Sequence, residues 1–147
     1  MPRPIPHHRH DYLHTCEITT RWMDNDAYGH VNNVVFYSWF DTVVNEWSIA
    51  RGLLDVGHSP IIGLVVESGC HYFEPLAYPG KITAALRVAH VGNSSVRYEI
   101  GIFGEGRDGA AAQGHFVHVY VDRETRRPKP LPETWRAALA TITTRES

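Results

Sequence analysis

"DNDAYGHVNNVVFYSWFDTVVNEWSIARG", residues 24–52, joins a polar ten-residue segment to the most apolar run of the chain. From Asn33 to Arg51 the apolar residues Phe36, Trp39, Phe40, Val43, Val44, Trp47 and Ala50 recur at steps of three and four, which predicts a helix with one apolar face. Ser38, Asp41, Thr42, Asn45 and Ser48 form the opposite, polar stripe. Gly52 supplies a natural stop, and Arg51 suits the negative C-terminal end. Two tryptophans and two phenylalanines on one face need a large apolar surface to bury them. A single curled sheet supplies one.

The flanking sequence reads as strands. Residues 15–22, "TCEITTRW", alternate with a period of two. Residues 61–76, "IIGLVVESGCHYFEPL", are long and β-rich, interrupted by Gly69. Residues 81–91, 96–105 and 110–122 are further strands, separated by the turns "GNSS" (92–95) and "GRDG" (106–109). "LPETWRAALATI" predicts a short closing helix with Pro132 in its first turn. Consecutive hairpins imply antiparallel pairing. The expected architecture is α+β: one long central helix wrapped by a five- or six-stranded antiparallel sheet.

The chain has 147 residues, enough for one domain with a real core. Hydrophobic residues make up 43% and charged residues 20%, which places it among ordinary globular proteins. A formal net charge of -2 offers no broad basic field, so nucleic acid is not an expected partner. No apolar run approaches the ~20 residues of a membrane span, and no membrane partner is expected. Residues 1–14, "MPRPIPHHRHDYLH", lack the apolar centre of a secretory signal and are expected to form a flexible leader to a domain over residues 15–147. Cys16 and Cys70 stand far apart in no metal-ligand spacing, as expected for reduced thiols of a cytoplasmic protein. No metal site is expected.

The stretch "RWMDNDAYGHVNNVVFYSWFD" resembles the signature of the 4-hydroxybenzoyl-CoA thioesterase-like family of hotdog-fold acyl-CoA thioesterases, roughly D-x-D-x-x-G-H-V-N-N before an aromatic helix. "FEPLAYPGKI", "VGNSSVRYEI" and "HVYVDRETRRPKPLP" extend the resemblance, in order, over residues 15–136. Departures occur in the helix, where relatives often carry Tyr at the place of Phe36, Glu at Asp41 and Arg near Asn45. The resemblance implies hydrolysis of an acyl-CoA to free acid and coenzyme A by a homodimer or homotetramer. It implies Asp26 as base or nucleophile, and the backbone N–H at Asn33 as an oxyanion donor. No cofactor is expected, because coenzyme A belongs to the substrate.

These roles are chemically sufficient. A thiol with a pKa near 8.5 leaves without a strong general acid, so one carboxylate and one oxyanion hole suffice. Asp26 precedes the helix, whose first N–H groups lack intrahelical partners. A capping or solvated loop aspartate is the plainer reading of the same residue. Asp24 is expected to hydrogen-bond within the loop. His30 is a second candidate base, and Asn32 and Asn33 are candidate caps. Glu67, an ionisable group in an apolar strand, is either exposed at an edge or turned toward a neighbouring subunit's site. Asn93, Ser94 and Ser95 form either an ordinary turn or donors for coenzyme A phosphates, with Arg126, Arg127 or Lys129 as nearby cations. Two alternatives use the same fold: a non-catalytic acyl-CoA-binding module, and a hydratase of enoyl thioesters.

Overall fold

Asn32 starts the long helix. Its side-chain oxygen accepts the N–H of Val34 at 3.0 Å, satisfying one of the free donors of the first turn. The helix, α1, runs Asn33–Ala50. It stops at Gly52, whose φ of +73° is accessible to glycine at little cost. The computed structural model describes residues 4–144. Around α1 lie β1 (His14–Thr19), β2 (Ile61–Tyr72), β3 (Lys81–Val91), β4 (Ser95–Gly104), β5 (Ala112–Asp122) and a short α2 (Glu133–Ala140).

The five strands form one antiparallel sheet in the order β1-β3-β4-β5-β2. The architecture is a single hotdog α+β fold, with α1 cradled by the sheet. Hairpins join β3, β4 and β5. Strand β2 crosses over to pair with β5, and so becomes an edge. Phe36, Trp39, Phe40, Val43, Val44 and Trp47 are all at most 4% exposed. Two residues differ from the predicted stripes. Ala50 lies in the final turn and is exposed, while Ser48 is buried with its hydroxyl donating to Val44 O at 2.9 Å.

Close approach of helix to sheet requires Gly114 on β5. A methyl group there would collide with the Gly69 carbonyl oxygen and lie 2.6 Å from Phe40 Cε2. A register shift between Val65 and Glu67 changes which side chains of β2 face α1. Gly63 and Val65 face it before the shift; Ser68, Cys70 and Tyr72 face it afterwards. Glu67, Gly69 and His71 point to the outer face.

The described part of the expected leader is a clamp on that outer face. Arg9 donates to Arg107 O at 2.7 Å, Gly104 O at 2.9 Å and Thr83 Oγ1 at 3.0 Å. The His7 N–H donates to Gln113 Oε1 at 2.7 Å. Tyr12 is buried with Ala85, Phe103 and Ala110 in a small second core. Its ring packs against Gly101, where an added Cβ would lie 2.7 Å from Tyr12 Cε2. The hydrogen-bond partners of Arg9 and His7 lie 74 to 106 positions away, so a Pro- and His-rich composition could not reveal them. Among the described residues, no helix is long and apolar enough to cross a membrane.

This clamp makes a prediction. Tyr12→Ala removes a ring buried between Phe103 and the Arg87 guanidinium, which lies 5.1 Å from its centroid. The expected loss of stability is about 3 kcal/mol, as for other large-to-small core substitutions. Urea denaturation checks it; a loss below about 0.5 kcal/mol would mean that the segment is not docked in solution.

Candidate active site

The loop from Thr20 to Asn32 is held by groups that are fully occupied in holding it. Thr20 donates through both its N–H and its hydroxyl to Gly80 O, at 2.9 and 2.6 Å. Asp24 is 1% exposed, and its carboxylate accepts the Arg21 N–H at 2.7 Å and the Arg21 guanidinium at 2.9 and 3.0 Å. The Asn32 N–H donates to Asp24 O at 2.8 Å, which ties this carboxylate's backbone to the residue that caps α1. Asp24 is therefore the structural carboxylate of the pair.

Asp26 is arranged differently. Its Oδ1 accepts the N–H groups of Tyr28 at 2.8 Å and His30 at 3.4 Å, and its own N–H donates to His30 O at 2.8 Å. The turn closes through Gly29, which takes φ +81°. Among the described residues, nothing hydrogen-bonds to Oδ2. The carboxylate is thus oriented by one oxygen and open at the other, and it is not fully buried.

Asn33 is the first residue of α1, and its N–H meets no acceptor among the described residues. It borders a cleft of about 320 Å³ lined by His30, Phe36, Tyr72, Phe73 and Leu76. The Val31 N–H donates to Leu76 O at 2.7 Å, and the Tyr72 hydroxyl donates to Asn33 O at 3.3 Å, so the cleft wall is tied to the helix start. The cleft offers a mainly apolar surface beside a free backbone donor at a helix N-terminus, where negative charge is favoured. Cys70 faces α1, but burial pushes its thiol pKa up to about 11. It is a thiol at neutral pH and a poor nucleophile.

Two other predicted site groups lie elsewhere. Glu67 is on the outer face of the sheet, away from α1, where it accepts from His115 Nε2 at 2.7 Å and Arg97 at 3.5 Å. The structure therefore does not bring Glu67 to the loop; the bulge before it sets its direction.

Asn93, Ser94 and Ser95 form the β3–β4 turn at the far end of the sheet. The 11 residues of β3 put them about 35 Å from the Gly80 end, where the Asp26 loop is anchored. The N–H groups of Leu131 and Tyr120 donate to Asn93 O and Ser94 O, at 3.0 and 2.7 Å. Arg136 Nη2 donates to Gly92 O and Asn93 O, both at 3.0 Å. Arg136 is the cation docked on this turn, in place of Arg126, Arg127 or Lys129. Its position on α2, more than 40 residues away, gave no local signal. Phe73 and Leu76 of the cleft were also missed; the trace they left was the "FEPL" that follows the strand.

The thioesterase-like superfamily model matches residues 20–139. Similar solved structures include the PA5185 protein from Pseudomonas aeruginosa strain PAO1, 52% identical with a TM-score of 0.92, covering 96% of this chain and 98% of that one. The PA2801 protein from Pseudomonas aeruginosa, a proposed thioesterase, is 30% identical with a TM-score of 0.80, covering 87% and 98%. Slr0204, a 1,4-dihydroxy-2-naphthoyl-CoA thioesterase from Synechocystis, shares the fold at 18% identity and a TM-score of 0.77, covering 86% and 94%. No curated protein matches the sequence. With a match that spans the loop, the long helix and strands β2 to β5, the chain belongs to the thioesterase-like superfamily.

Proposed function

We propose that this chain is a cytoplasmic acyl-CoA thioesterase in which Asp26 is the base or nucleophile and the Asn33 N–H stabilises the oxyanion. The observation that carries this reading is the division of labour in the loop. Asp24 is used up in structure, while Asp26 is held by one oxygen and free at the other, in the loop that the Asn32 N–H ties to the start of α1. In this mechanism the thioester carbonyl lies in the cleft with its oxygen toward the Asn33 N–H. Asp26 Oδ2 removes a proton from water, or attacks the carbonyl itself. The tetrahedral charge is met by the backbone donor and the positive helix end, and the thiolate departs without a general acid.

Coenzyme A recognition belongs to the same proposal. Asn93, Ser94 and Ser95 with Arg136 form a polar turn suited to phosphate, yet one chain holds it far from its own Asp26. A second copy removes the difficulty. Strand β2 is an edge that exposes Leu64, Val65 and Val66, and such an edge favours pairing. Antiparallel β2–β2 pairing runs two copies in opposite directions, so that the far end of one approaches the loop of the other. A homodimer, or a homotetramer built from it, is the form this reading requires.

Asp26→Asn keeps the shape of the loop and removes its basic oxygen. Single-turnover thiol release should slow on the order of 10² to 10⁴ with little change in acyl-CoA binding. A rate within about tenfold of wild type would remove Asp26 from the chemistry. Arg136→Glu or a bulky acidic residue at Ser95 should raise KM for acyl-CoA and leave a short pantetheine thioester nearly unaffected. Equal damage to both substrates would mean a fold defect instead. Light scattering should report a dimer or larger at assay concentration; a fully active monomer would overturn the shared site.

A further inference from the structure

Phe73, Glu74, Pro75 and Leu76 line the cleft and belong to the irregular connection between β2 and β3. Such a stretch has no ladder of its own, so its order depends on bonds to other elements. On the side of the catalytic loop, Leu76 O accepts the Val31 N–H. Other ties of residues 73–76 run backwards, to the connection between β4 and β5. The N–H groups of Phe73 and Glu74 both donate to Ala111 O, at 2.8 and 3.1 Å. Leu76 packs against Gly104, where an added Cβ would lie 3.2 Å from Leu76 Cδ2. Arg107 Nη2 donates to Glu74 Oε1 at 2.7 Å.

The β4–β5 connection is itself exposed from Glu105 to Gly109, and the leader holds it from its other side. His8 and Gly109 form an antiparallel bridge. The Arg9 N–H donates to Asp108 O at 3.2 Å, and the Ala110 N–H donates to His7 O at 2.9 Å. The Arg9 guanidinium spans the turn, with Nη2 on Gly104 O and Nε on Arg107 O, while Nη1 is fixed on Thr83 of β3. It also lies over the Phe103 ring, 5.1 Å from the centroid.

These contacts are unequal. The Arg107 and Glu74 side chains are 62% and 45% exposed, and an ion pair so open to water contributes little. Arg9 is half-buried, and its bonds are charge-assisted, roughly twice as strong as neutral ones. Its planar fork meets three oxygens at once, which a lysine cannot do. The route from leader to cleft therefore runs through the backbone. Arg9 fixes Gly104 and Arg107, Gly104 seats Leu76, and Ala111 O holds Phe73 and Glu74.

We propose that residues 7–9 brace the cleft wall from behind, with Arg9 as a positioning residue for the acyl group. The inference rests on the thioesterase reading. In that mechanism the thioester oxygen points to the Asn33 N–H, and the acyl group lies along Phe73 and Leu76. A wall that shifts moves the carbonyl relative to Asp26, and a small misplacement is costly in a step that depends on alignment. Arg9 touches neither the substrate nor the reacting atoms; it acts through the wall.

The test compares wild type with Arg9→Ala on two substrates. One is hexanoyl-CoA, or whichever longer acyl-CoA the wild type hydrolyses fastest; the other is acetyl-CoA, whose methyl group is too short to lie along the wall. In Arg9→Ala, kcat/KM should fall about tenfold for the longer substrate and less than about twofold for acetyl-CoA. Equal loss on both, or no loss on either, overturns the positioning role. Hydrogen exchange reads the brace without any activity. The N–H groups of Phe73, Glu74 and Val31 should lose about tenfold in protection beyond any loss at Val43 and Val44 in α1. Protection that falls no further at the wall than in α1 overturns the brace. If the wild type releases no thiol from any acyl-CoA, the thioesterase reading fails by itself, and hydrogen exchange alone decides the brace. Should Arg9→Ala not fold, Arg9→Lys keeps the charge and gives up the fork, and carries both comparisons with effects of about threefold.

Discussion

Phe40 lies fully buried over Gly114, and the rest of the fold follows from that contact. The helix carries four large aromatic rings on one side and cannot expose them, since each buries on the order of 150–250 Å². A flat sheet would touch only one line of them. A sheet curled around α1 meets the whole stripe, but only if one strand passes close enough, and the missing Cβ at Gly114 permits that approach. Helix length, strand length and the position of the loop at the head of α1 are consequences of this packing.

The same packing turns the helix start into a place where chemistry can occur. An N-terminus held rigidly at the rim of the core presents a backbone donor that need not reorganise when charge develops. The two aspartates before it illustrate how environment divides like groups. Asp24 is buried and saturated by Arg21, so its loss would leave the guanidinium and the loop without an anchor. Asp26, two residues on, keeps one oxygen free because its turn closes on Oδ1 alone. Composition is the same at both positions; the local hydrogen bonds assign the difference.

A single chain separates the parts that the proposed reaction needs. The loop sits at one end of the sheet and the Asn93–Ser95 turn at the other, with the unpaired β2 edge alongside. The edge and the distant turn are two separate observations. The proposed antiparallel pairing of two copies brings the edge of one chain and the turn of the other together. The outer face is treated differently: the clamp of residues 7–12 covers Phe103 and Ala85, leaving the cross-strand charges of Glu67, His115, Arg97 and Glu99 to solvent.

Local pattern determined what local physics controls. The 3.6-residue period placed α1 within a residue or two, and the period of two matched β3 at Lys81–Val91. The D-x-D loop and the cap at Asn32 were legible because a helix start needs particular side chains at fixed offsets. Tertiary structure decided everything that depends on residues far apart in the chain. Strand order was one such feature, because β2 pairs with β5 rather than with its neighbour β3. The direction of Glu67 was another, because a single bulge at Val66 reverses the alternation after it. The docked leader and the Arg136 contact with the turn complete the set. Each is a contact across dozens of residues, and pairing at that range leaves no periodic trace in the sequence.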